Sequence, residues 1–203
     1  MNIAINGFGR MGRLGFRAGW GNEAYQITRI NELHGSAETA AHLLEYDTVH
    51  GRWNHEINHE QNQLTVDGKA IAYSSVPTPA EMNLEGIDIV IDSTGAHRTP
   101  ETLRPYLDAG AKKVIVAAPV KDQALNIVVG CNDHLYNPEQ HHILTAASCT
   151  TNCIAPVIKV IHSQLGIKHG MITTMHDVTN TQTIVDAPHK LSLIHISEPT
   201  RPY

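Results

Sequence analysis

Ile3-Ala4-Ile5-Asn6-Gly7-Phe8-Gly9-Arg10-Met11-Gly12 sets a short apolar run directly before three glycines spaced G-x-G-x-x-G, with a helix candidate from Arg13 to Trp20 behind them. Glycine has a physical task at each position. Gly7 permits a tight turn, Gly9 lets the backbone approach a pyrophosphate, and Gly12 lets helix pack closely on strand. The phosphates would rest on the helix N-terminus, where unpaired N–H groups and the helix dipole favour an anion. A plain glycine turn also satisfies this pattern, so the context decides. A second strand, Gln26 to Ile30, follows, and Glu32 ends it about twenty residues after Gly12. That is the spacing of the carboxylate that holds an adenosine ribose, which favours NAD over NADP.

The same logic extends down the chain. Ile87-Asp88-Ile89-Val90-Ile91-Asp92 is a near-continuous apolar run, as expected of a parallel central strand. It ends in Ser93-Thr94-Gly95, at the carboxyl end of a strand, where doubly wound sheets bind ligands. A helix follows from Thr99 to Ala109, then strands at Lys113 to Pro119, Ile127 to Asn132 and His142 to Ala146. Alternating strands and helices over residues 1–148 predict an α/β fold, a doubly wound and mostly parallel Rossmann-type sheet with helices on both faces. Residues 149–190 read as the start of an α+β catalytic domain.

Composition narrows the class. The chain has 203 residues, 41% hydrophobic and 17% charged, with a net charge of -5 and no run of Lys or Arg. Nothing in it marks a nucleic-acid or anionic-membrane surface. Its apolar stretches fall well short of the ~20 residues a membrane span needs, and no signal peptide is visible. Three cysteines do not make a disulfide framework and fit a reducing cytoplasm.

Ala147-Ser148-Cys149-Thr150-Thr151-Asn152-Cys153 carries the chemistry. A short strand precedes it, and Ile154 to Ile161 has apolar spacing for a helix. Ser148 is the expected N-cap, which places Cys149 in a first helical turn, where N–H groups and the dipole stabilise a thiolate. The common fate of a cysteine is an inert core position, but the polar run around Cys149 argues against an apolar pocket. Cys131 reads as core, and Cys153, one turn beyond Cys149, reads as packing.

ASCTTNC closely resembles the active-site segment of the phosphorylating glyceraldehyde-3-phosphate dehydrogenases, and NGFGRMGR resembles that family's N-terminal signature. The resemblance implies backbone contacts to the cofactor phosphates at Arg10 and Met11, and cofactor contacts at Ser93, Thr94 and Gly95. Glu32 stands where most members carry Asp, His97 where an aromatic usually lies near adenine, and Ala117 where a cofactor-contacting loop usually begins with serine. Thr173-Thr174-Met175-His176-Asp177-Val178-Thr179-Asn180-Thr181-Gln182 resembles the segment with the catalytic histidine. By that resemblance His176 is the base and ion-pair partner of Cys149, Thr179 and Thr181 hold the substrate phosphate, and the attacking inorganic phosphate binds near Ser148 and Thr150. The implied reaction is NAD-dependent oxidation of glyceraldehyde 3-phosphate to an acyl phosphate through a cysteine thioester, in an enzyme commonly homotetrameric.

Two variants stay open. Arg29-Ile30-Asn31-Glu32-Leu33 is also similar to erythrose-4-phosphate dehydrogenase, and the stretch from His176 to Lys190 to dehydrogenases encoded beside arsenate-resistance transporters, where arsenate replaces phosphate. Two other classes are also open: a non-catalytic nucleotide-binding module and a zinc hydrolase. The latter rests on His55-Glu56-Ile57-Asn58-His59, literally H-E-x-x-H. That chemistry needs a helix presenting both imidazoles on one face, and the asparagine-rich surroundings predict none, so no metal site is expected. Residues 191–203 do not match the family and read as an artefact of translated sequencing-adapter read-through. The expectation is then a chain without its complete catalytic domain, with little activity of its own.

Overall fold

The computed structural model describes residues 1–120 and 124–175. Contacts divide the chain into a unit of Met1–Gly166 and a second of Ile167–Tyr203. In the first, β1 (Asn2–Asn6) leads through the glycine turn into α1 (Arg10–Gly19), and β2 (Gln26–Asn31) leads into α2 (Ala37–Glu45). A two-stranded ladder of β3 (Tyr46–Asp47) and β4 (Gly51–Arg52) precedes β5 (Ile57–Glu60), β6 (Gln63–Val66) and β7 (Lys69–Ser74). Then come β8 (Ile89–Asp92), α3 (Pro100–Asp108), β9 (Lys113–Val116), β10 (Leu125–Asn126), β11 (Ile143–Thr145) and α4 (Cys149–Leu165).

Nine strands form one sheet in the order β10-β11-β9-β8-β1-β2-β7-β6-β5. Every pairing from β10 to β7 is parallel, and the last two are antiparallel. The antiparallel end follows from Asp67-Gly68, which sit at φ 48° and 77° and turn β6 back into β7. β1 shows why the sheet is covered twice. Ile3 and Ile5 pack with Phe16 of α1 and Leu44 of α2, whereas Ala4 packs with Val90, Leu103 and Tyr106 of α3. Alternate residues of a strand face opposite sides, so α1 and α2 cover one face and α3 the other.

Local differences from the sequence reading have physical causes. α1 begins at Arg10 rather than Arg13, because Gly9 is extended (ψ -163°) and acts as the cap, making the glycine turn shorter. Ile127 to Asn132 is not a strand. The Asn132 side chain accepts from Val128 N (2.8 Å) and donates to Asn126 O (2.8 Å), folding the segment into a loop after the two-residue β10. His55 to His59 leads into and along strand β5, not a helix. His55 Nδ1 lies 2.7 Å from Asp67 Oδ2, and its ring stacks near Trp53. In the second unit the described residues, 167–175, contain no helix or strand. Met171 to Asp177 reads from sequence as a strand delivering His176; its described part, 171–175, forms no strand, and the rest lies outside the described residues.

Candidate active site

Seven parallel strands end along one edge of the sheet, and the predicted residues that the structure describes gather there. Gly7 follows β1, Glu32 follows β2, Ser93 and Thr94 follow β8, Ala117 follows β9, and Ser148 and Cys149 follow β11. A cleft of about 370 Å³ opens beside Asn6, Gly7, Gly9, Glu32, Ser93 and Thr94. It lies where the connections diverge in opposite directions from β1, the switch point at which open parallel sheets bind nucleotides. A larger cavity of about 510 Å³, near Trp20, Tyr25 and Lys69, lies at the opposite, amino end of β2. Sheets of this kind do not present their ligand sites there.

The glycines fit a pyrophosphate cradle. A Cβ on Gly7, at φ 85°, would stand 2.6 Å from Thr94 N, and one on Gly12 would stand 2.1 Å from Gly7 O. Gly9 has nothing within 4 Å, leaving its backbone open to a ligand. No side chain caps α1, so its first N–H groups remain available to phosphate oxygens. The loop is braced by its neighbours: Arg13 Nη1 donates to Phe8 O (2.9 Å), and burial draws the Arg13 guanidinium below its ordinary value.

Glu32 does two things. It lines the cleft, and its carboxylate accepts from Phe8 N (2.6 Å) and His34 N (2.9 Å), so it also fixes the glycine loop. Each oxygen keeps capacity for a further bond. Arg10 turns its side chain away to Asp47 (3.1 Å), leaving its backbone to face the cradle, while Met11 is exposed. His97 lines the cleft, whereas Gly95 and Ala117 do not. Ala117 N donates to Asp92 O (2.8 Å), one strand nearer to Cys149.

At the far end of this edge the chain makes a tight elbow. Thr145 Oγ1 donates to Asn126 Oδ1 (2.7 Å) and accepts from Ala147 N (2.9 Å). Ala147 sits at φ 56°, and Asn152 Nδ2 donates to both Ala146 O (2.6 Å) and Ser148 O (2.9 Å). Ser148 caps α4 as expected, its Oγ accepting from Thr151 N (3.0 Å). Cys149 is the first residue of the helix and is exposed. Four strand spacings of about 4.8 Å separate β2 from β11, roughly 19 Å between the Glu32 and Cys149 ends. An extended dinucleotide lying along the edge would pass from one to the other. His176, Thr179 and Thr181 lie outside the described residues.

Sequence reasoning missed the floor of the cleft. Asn6, Asn31 and Asp92, the last residues of β1, β2 and β8, are all buried. Tyr106 OH donates to Asp92 Oδ2 (2.7 Å) and accepts from Asn6 Nδ2, and Asn31 Nδ2 donates to Asn6 Oδ1 (2.8 Å). Burial, and secondarily the Asp92 carboxylate, push the Tyr106 hydroxyl far above its ordinary value, so it remains a donor. The signal was present in the sequence: three apolar strands each end in Asn or Asp.

Comparison with known proteins agrees with this geometry. Residues 1–100 match the family model of the glyceraldehyde 3-phosphate dehydrogenase NAD binding domain, and residues 148–195 that of the glyceraldehyde 3-phosphate dehydrogenase C-terminal domain, so the match runs past Lys190, where the sequence reading ended the resemblance, to residue 195. Glyceraldehyde-3-phosphate dehydrogenase 3 of Nostoc sp. is 57% identical over 192 residues, which are 94% of this chain and 57% of that protein. Glyceraldehyde-3-phosphate dehydrogenases of Geobacillus stearothermophilus and Thermotoga maritima are 46% and 45% identical, again over 57% of each relative and 94% and 93% of this chain. The chain thus spans a little over half the length of these relatives. With a cleft at the switch point, an exposed cysteine as the first residue of the helix beyond it, and two family domains matched in order, the chain belongs to the glyceraldehyde 3-phosphate dehydrogenase family, of which it carries the NAD binding domain and part of the C-terminal domain.

Proposed function

We propose that this chain supplies the cofactor site and nucleophile for NAD-dependent oxidation of glyceraldehyde 3-phosphate to an acyl phosphate. The observation that carries the reading is Cys149 exposed at the N-terminus of α4, on the same sheet edge as the glycine cradle. The helix terminus favours the thiolate, which attacks the aldehyde carbon and gives a thiohemiacetal. His176 takes the hydroxyl proton as general base. Bound NAD supplies the two-electron acceptor, and the oxidised carbon is left as a thioester on Cys149. The Cys149 N–H and His176 stabilise the oxyanion. Thr179 and Thr181 hold the substrate phosphate, while Ser148 and Thr150 hold the anion that cleaves the thioester. The leaving group is the Cys149 thiolate, which closes the cycle.

Glu32, already tied to the glycine loop, faces the ribose and disfavours a 2′-phosphate by charge. Inorganic phosphate is the acceptor proposed, with arsenate able to take its place. Glyceraldehyde 3-phosphate is preferred over erythrose 4-phosphate because Thr179 and Thr181 are retained. Residues 149–190 are taken as the start of the catalytic domain, the whole enzyme as a homotetramer, and its setting as a reducing cytoplasm. Among the described residues no helix is long and apolar enough to cross a membrane.

A hybrid tests this: residues 1–190 joined to the remainder of the Nostoc relative. It should reduce NAD with glyceraldehyde 3-phosphate and phosphate, and the Cys149→Ser hybrid should not. A folded, NAD-binding hybrid that reduces no NAD, or that turns over erythrose 4-phosphate faster, would contradict the assignment.

A further inference from the structure

The cleft is built by four loops, after β1, β2, β7 and β8, and its shape depends on how they are tied to one another. The glycine loop touches the loop after β8, because Gly7 packs on the Thr94 backbone. Glu32 accepts from Phe8 N and Ser75 Oγ donates to Leu33 O at the surface, and a buried hydrogen-bond chain beneath the cleft links all four loops. At one end the Asn31 amide joins the loop after β7, accepting from Val76 N (2.9 Å) and donating to Val76 O (3.0 Å). At the other end Asp92 Oδ1 accepts from both Thr94 N (2.9 Å) and Thr94 Oγ1 (2.7 Å), fixing the loop after β8. The two ends meet through Asn6 at one hydroxyl, that of Tyr106.

Tyr106 is fully buried and does not line the cleft. It nonetheless supports a residue that does: its ring meets the His97 ring edge-on, at 5.8 Å and 88°. We propose that Tyr106, acting through Asp92, Asn6 and His97, is a positioning residue that sets the shape of the adenosine end of the cleft. A buried hydroxyl with both partners satisfied stiffens a polar network, and losing it leaves Asn6 and Asp92 each short of a bond. The loops they hold then lose their common reference. The effect belongs to the adenosine half of the cofactor, because Cys149 is held by separate ties, those of Asn126, Thr145 and Asn152.

This inference rests on the nucleotide reading of the cleft, and the test separates the two. Binding of NAD and of AMP to the chain is measured by titration calorimetry for the parent, Tyr106→Phe and Asp92→Asn, beside the rate at which iodoacetamide alkylates Cys149. Phenylalanine keeps the ring against His97 and removes only the hydroxyl. The expected result is about tenfold weaker binding of NAD and AMP alike in Tyr106→Phe, as loss of a buried charge-assisted hydrogen bond implies. Asp92→Asn should weaken both in the same direction, with the Cys149 alkylation rate unchanged in each variant. A merely structural role would lower the melting temperature while leaving AMP affinity at the parent value, and that result overturns the proposal. Should Tyr106→Phe fail to fold, parent-like AMP binding by Asp92→Asn overturns it equally. A parent that binds neither ligand removes the nucleotide reading itself, and this inference with it.

Discussion

Ala147 is the residue on which the elbow before Cys149 turns. Its φ of 56° is costly for a side chain with a Cβ, about 1–2 kcal/mol, and is held in place by hydrogen bonds on either side. The chain has only three residues in which to leave β11 and cap α4, so one must take the left-handed conformation. Ala147→Gly should therefore be neutral or slightly stabilising in chemical denaturation, whereas Ala147→Val should cost on the order of 2 kcal/mol. Ser148→Ala, which removes the cap, should cost about 1 kcal/mol by the same measurement. Gly7 is the opposite case. Any Cβ there meets the Thr94 backbone, so Gly7→Ala should abolish NAD binding in calorimetry. Gly7 was legible from its spacing and Ala147 was not, because alanine does not announce a left-handed turn. The cap at Ser148 was legible because serine before a helix has a single strong use.

At the scale of elements, patterns that repeat were readable and those set by a single side chain were not. The apolar runs at β1, β2, β8 and β9 made the parallel sheet readable, and the Asp67-Gly68 pair is in itself a hairpin turn signal. Ile127 to Asn132 has the same apolar look, but one asparagine folds it into a loop. The H-E-x-x-H stretch belongs to a strand region because β5 turns straight back into β6, Glu60 opposite Gln63, a local hairpin that the bare motif does not report. The ladder of β3 and β4 is similarly organised by one carboxylate. Asp47 accepts from the N–H groups of His50 and Val49 and pairs with Arg10, and the His50 N–H above all holds it below its usual range. A depressed carboxylate stabilises the fold above its unfolded value of about 3.9, and that contribution is lost as pH falls through the lower folded value. Asp47→Asn should lower the melting temperature at pH 7 and flatten its fall below about pH 4. A variant whose melting profile parallels the parent's would contradict this.

For the whole molecule, the proposed function lies along an edge rather than in a pocket. The proposed cofactor cradle sits at its middle, on β1, and the proposed nucleophile Cys149 near one end, past β11. The strand order therefore does the positioning, and family membership follows from two matched domains in sequence. Within the described residues α4 buries none of its side chains, although Val157, Val160 and Leu165 are apolar. The edge placement of Cys149 could be foreseen from strand alternation. The buried tie from Asn31 to Asp92 could not, since it depends on which strands become neighbours.

The most direct test of the central claim compares the alkylation of Cys149 with that of Cys153, one turn along the same helix, using iodoacetamide and peptide mapping from pH 5 to 9. Cys149 should react at least about tenfold faster at pH 7, with its advantage persisting toward lower pH as a helix-terminus thiolate requires. Equal rates, or a Cys149 that gains reactivity only above about pH 8.5 like an ordinary thiol, would contradict it.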